Sequence, residues 1–178
     1  MKLRFRTRFC SRSGQALIEF TCVVFILLLL VFGLIDFCRE ISIRHVITSL
    51  TREGSNLASR NTSLASALDA VVKSADPLNI TNNGHIIISV VTNNAGQAWV
   101  ADQAIWPNTA VTNSTKSKVG VPGAAALSGW IPTTLPPLPE SNQTIYVTEV
   151  YYSFHAATPV GKLLNFNLPT WMYDAAYF

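Results

Sequence analysis

At 178 residues, with 13 basic side chains against 10 acidic ones and a formal charge of +3, the chain has room for one modest domain and an anchor. The basic excess does not mark a nucleic-acid partner, because five of the cations stand in the first twelve residues, ahead of an apolar run. The three cysteines are Cys10, Cys22 and Cys38, so everything beyond residue 38 must fold without an internal disulfide.

The leader, residues 1–14, holds Lys2, Arg4, Arg6, Arg8 and Arg12 and no acid. Short basic flanks stay in the cytoplasm, which predicts an inner N-terminus and an outer location for everything after Asp36. No charged residue occurs from Phe20 to Ile35. Counted from Gln15 the run is about 20 residues, or about 30 Å of helix, the thickness of a bilayer's hydrocarbon core. One acid, Glu19, lies in its first turn. A carboxylate there costs about 2.5–3.5 kcal/mol on insertion scales, so it calls for a function unless it snorkels to the headgroups. A secretory signal would place a small-x-small cleavage site after the run, and Val31-Phe-Gly-Leu-Ile-Asp-Phe-Cys38 has none. The only small residue placed for cleavage is Gly14, before it.

Beyond Ile35 the pattern becomes amphipathic. Ile43, Ile47, Leu50, Gly54 and Leu57 recur at helical spacing, and no proline occurs before Pro77. One helix is expected from about Gln15 to about Ser59, transmembrane over 15–36 and amphipathic over 37–60. Asn61-Thr62-Ser63 reads as a break with a new N-cap. Leu64, Leu68, Val71 and Val72 predict a short second helix that ends at Asp76-Pro77. The β-branched run Ile86–Val91, the turn signal Asn93-Asn94-Ala95-Gly96 and a weaker strand from Ala98 to Trp106 predict a hairpin. Residues 107–142 read as an irregular, proline-rich loop. Thr144–Phe154 is the strongest strand, apolar on both faces and so expected to be central. The aromatic tail, with Phe166, Trp171, Tyr173, Tyr177 and Phe178, is expected either to cover a sheet edge, the favoured reading, or to contact the membrane interface, where Trp and Tyr are enriched. The fold class is therefore α+β: a long N-terminal helix, a short second helix and an antiparallel sheet of three to four strands, with 61–178 as an extracytoplasmic domain.

The sequence carries little sign of catalysis. His45, His85 and His155 are far apart, and no nucleophile, zinc or phosphate-loop motif is present, so no enzyme, cofactor or metal is expected.

A basic leader, then Gly14, then Glu19 five residues on, then Phe20 and a long apolar helix resembles a type IV prepilin-like signal. The longer pattern Gly14-Gln-Ala-Leu-Ile-Glu-Phe20, Gly33-Leu-Ile-Asp-Phe37 and Thr51-Arg-Glu-Gly-Ser-Asn-Leu-Ala58 resembles the TadE-like pseudopilins of tight-adherence (Tad/Flp) pilus systems. Phe25 stands where that family often has a proline, so no kink is expected there. The resemblance implies a pilin-like layout and a minor pseudopilin of a bacterial inner membrane, with its C-terminal domain periplasmic or extracellular. It implies cleavage between Gly14 and Gln15 by a prepilin peptidase, with Glu19 and Phe20 serving subunit assembly. The implied partners are that peptidase, other pilins or pseudopilins, inner-membrane assembly proteins and membrane lipid. Cleavage would leave eight basic residues against ten acids. The alternative is a single-pass anchored extracytoplasmic binding domain that is never assembled into a filament.

Overall fold

The computed structural model describes residues 12–60, 62–107, 116–127, 143–159 and 170–178. The first helix, α1, runs over Arg12–Ser59, unbroken through Phe25. After it come α2 (Leu64–Ser74), a 3-10 turn (Asp76–Leu78) and a short α3 (Ile80–Asn83). Five strands follow: β1 (Gly84–Asn94), β2 (Gln97–Trp106), β3 (Ala124–Ala125), β4 (Thr144–Ser153) and β5 (Trp171–Tyr177). They form one antiparallel sheet in the order β3-β2-β1-β4-β5. The α+β class is as expected, and the two-residue β3 takes the strand count to five. The boundary at Asn61 and most of the 107–142 loop lie outside the described residues, as do Met1–Ser11 of the leader.

Local chemistry accounts for the elements. Ser63 caps α2, its hydroxyl accepting the N–H of Ser66 at 3.2 Å, which relieves one of the unpaired donors of the first turn. The β1–β2 turn takes Ala95 and Gly96 to positive φ, and the Asn93 carboxamide accepts the Gly96 N–H at 2.8 Å. A register shift opposite Val90/Val91 inserts one residue into β2. Side-chain alternation reverses there, so that Ile105 and Gln103 before the shift and Val100 and Ala98 after it share a face.

The chain divides into two compact units. One comprises residues up to Cys38 with 156–167, and in it the Asp36 carboxylate holds Ala157 and Thr158. The other, 39–155 with 168–178, contains the core. Ile47, Leu50 and Ala58 of α1 and Leu68 and Val71 of α2 pack with Ile86, Ile88, Val150, Phe154 and Met172 on one sheet face. Each large side chain buried there contributes about 1.5–3 kcal/mol. On the opposite face Val91, Val100 and Val147 pack under Val119 of the segment leading to β3. The aromatic tail supplies β5, which covers the outer edge of β4 as expected.

Candidate functional site

The residues singled out in the sequence lie together at the start of α1. Gly14 is in the first helical turn, with nothing within 4 Å of where a Cβ would stand. Cleavage after Gly14, which the resemblance implies, would require that turn to unwind into an extended backbone. The first turn is where unwinding is easiest, because its N–H groups have no helical partner and glycine favours the helix least after proline. The Gln15 carboxamide donates to Glu19 Oε1 at 3.2 Å, one turn on. Thus the carboxylate proposed for assembly already faces the residue that would become the N-terminus. Phe20 is 68 % exposed, and Leu17, Ile18, Val23, Ile26 and Leu30 are similarly bare. Over the apolar window of α1 nothing is buried within the chain. Such a surface in water is an exposed patch far beyond what a soluble monomer carries. Lipid or other helices must cover it. Cys22 and Cys38 are exposed on the same helix and unpaired.

Two buried carboxylates were not legible as sites. Asp36, at the end of the apolar run, is 4 % exposed and accepts the N–H groups of Ala157 (2.9 Å) and Thr158 (3.2 Å) and the Thr158 hydroxyl. Glu149, in the middle of β4, is fully buried. It accepts from the Lys118 N–H (2.9 Å), the Tyr173 hydroxyl (3.0 Å) and the Ser117 hydroxyl. The Tyr151 hydroxyl is 3.5 Å from it and donates at 2.7 Å to the Lys116 carbonyl. Lys118 Nζ sits 3.4 Å from the Tyr173 ring centroid, a cation–π contact. Burial, and after it Glu149, raises both tyrosines above their ordinary range. A buried charge of this kind survives only when donors surround it, and here they fasten residues 116–118 to the sheet. The signal in the sequence is a lone acid between apolar neighbours, Val147-Thr148-Glu149-Val150-Tyr151.

Beside this network is a cleft of about 460 Å³ with walls from Ile87, Ile105, Val121 and Leu127 and with Gln103, Lys116 and Ser117 as its polar lining. The Gln103 amide donates to Ser89 Oγ at 2.7 Å. No cluster of three metal-ligating side chains occurs among the described residues.

An exposed helix long and apolar enough to cross a membrane, on a chain with an α+β domain, suggests a membrane-anchored α+β protein. The TadE-like protein family model matches residues 14–56, which lie within α1, so this part of the chain is similar to the TadE-like family. No curated protein and no solved structure matches the chain.

Proposed function

We propose that this chain is a minor pseudopilin that serves assembly of a Tad-type pilus or a related secretion apparatus. A prepilin peptidase cleaves it between Gly14 and Gln15, and it is held in a bacterial inner membrane with its N-terminus cytoplasmic. The observation that carries the reading is the TadE-like match over 14–56, which coincides with the bare apolar surface of α1. Gly14 is sterically open and Glu19 already contacts residue 15. Cleavage removes the five leader cations and creates an α-amine at Gln15, one helical turn from Glu19. In a bundle of such helices, Glu19 of one subunit pairs with the Gln15 amine of a neighbour and sets register, since an unpaired charge in low dielectric is costly. Phe20 supplies apolar contact beside that pair.

Glu19→Ala tests the assembly role. Removing the acid from the run leaves insertion at least as favourable, and processing continues because Gly14 and the leader are unchanged. Crosslinking to partner subunits should fall by orders of magnitude, since breaking a buried pair costs about 3–5 kcal/mol. An exposed pair is worth about 1 kcal/mol at most, so normal assembly of the processed mutant would refute the role. The cleft beside Glu149 favours the second reading, an anchored binding domain, and that reading predicts full function without cleavage.

A further inference from the structure

The polar residues on the buried face of α1 do something the apolar stripe does not. Ser55 Oγ accepts the Thr148 N–H of β4 at 3.1 Å and donates to the Ala176 carbonyl of β5 at 2.7 Å. Thr148 and Ala176 face each other in the β4–β5 register. A helix side chain therefore spans one rung of the ladder that joins the last strand to the sheet. Gly54 permits this approach, because a Cβ there would lie 2.7 Å from Thr148 Cγ2 and Oγ1. One turn earlier, the Thr51 hydroxyl has its one proton between the Thr48 carbonyl of its own helix (3.0 Å) and Asp174 Oδ2 of β5 (3.3 Å).

We propose that Thr51 and Ser55 make β5 a clasp whose closure depends on where α1 sits along the sheet. Phe178 and Tyr146 exchange both backbone hydrogen bonds, and Phe154 donates to Thr170, so the even-numbered residues of this ladder point toward β4. The helix thus engages two ladder-facing residues of β5, Asp174 by its side chain and Ala176 by its carbonyl. At the end of the sheet order, β5 is paired with β4 alone among the described residues. Sliding α1 by one turn, about 5.4 Å, would withdraw both hydroxyls together. The Thr148 N–H would lose its Ser55 partner beside Thr148 Oγ1, which is buried and has no hydrogen bond as it stands. The fastening of β5 is thereby tied to the position of α1 on the sheet. Thr51, Gly54 and Ser55 all fall within the TadE-like match, yet the clasp depends neither on cleavage at Gly14 nor on pairing at Glu19.

Hydrogen exchange measured by mass spectrometry on the full chain in detergent tests the clasp. In Ser55→Ala, peptides covering 171–178 should exchange about tenfold faster, while those covering β1 and β2 keep their protection. Thr51→Val should shift the same peptides in the same direction by less. Ser59→Ala, whose hydroxyl bonds within its own helix to the Asn56 carbonyl, should change neither. Unchanged exchange at 171–178 in both Ser55→Ala and Thr51→Val overturns the clasp, and so does an equal acceleration of β1, β2 and β5. If Ser55→Ala does not fold, Thr51→Val decides alone.

Discussion

Gly54 and Glu149 show how far a single side chain decides this domain. Alanine at position 54 would gain about 1 kcal/mol of helix propensity. Its Cβ, however, would collide with Thr148, a β-branched side chain that is stiff about χ1, and overpacking of this kind costs about 1–3 kcal/mol. Gly54→Ala should therefore be net destabilising, by about 1 kcal/mol in denaturant titration, and a stabilised variant would show that the helix can step away from β4. Glu149→Gln turns one acceptor oxygen into an NH2 donor facing the Lys118 N–H and the Ser117 and Tyr173 hydroxyls. A loss of about 1–3 kcal/mol follows from leaving buried donors unpaired, with protection lost first at residues 116–118. Global unfolding with no early loss at those residues would contradict their dependence on Glu149.

At the scale of elements, the cap of α2 gives a simple measurement. Ser63→Ala should cost about 1 kcal/mol and loosen Leu64–Ser74, read as faster exchange of the Ser66 amide. This cap was readable in the sequence, as were the long α1, the short α2 and the β1–β2 hairpin, because each rests on local periodicity or turn chemistry. The stripe Ile43, Ile47, Leu50, Gly54 and Leu57 came out on the packed face of α1, with Ile47 and Leu50 buried and Ile43 and Leu57 partly so. Thr51 and Ser55 were not read as part of that face. A hydroxyl in an amphipathic helix looks like solvent-side polarity until a strand 93 residues away in sequence supplies its partner. The two residues of β3 carry no period at all. The bulge in β2 reverses the alternation on which strand reading depends. Of the candidate site, Gly14, Gln15, Glu19 and Phe20 could be proposed from the sequence because the pattern that singles them out is local, whereas Asp36 and Glu149 owe their burial to segments distant in the chain.

For the molecule as a whole, titration and processing are the informative probes. Burial lowers His85 below its ordinary 6.5, and its Nδ1 is buried without a hydrogen bond. The folded chain resists protonating it, so its contribution to stability is present above about pH 6.5 and is lost as pH falls through the lowered value. Tyr151 and Tyr173 act in the opposite direction. They are raised above 10.0, first by burial and then by Glu149, so their contribution holds below pH 10 and declines as pH rises further. Thermal melts of the full chain in detergent should show a plateau between these limits, and His85→Gln should flatten the acid side. An unchanged acid limb in that variant would remove His85 as its cause. At the other end of the chain the TadE-like match begins at an open glycine, Gly14, inside the first turn of α1. The most direct test of cleavage there is the intact mass and N-terminal sequence of the protein extracted from membranes of cells with an active prepilin peptidase. The pseudopilin account predicts a chain that starts at Gln15, and a bulky residue at position 14 should leave it unprocessed. An intact leader, or a cut beyond Ile35, would contradict it.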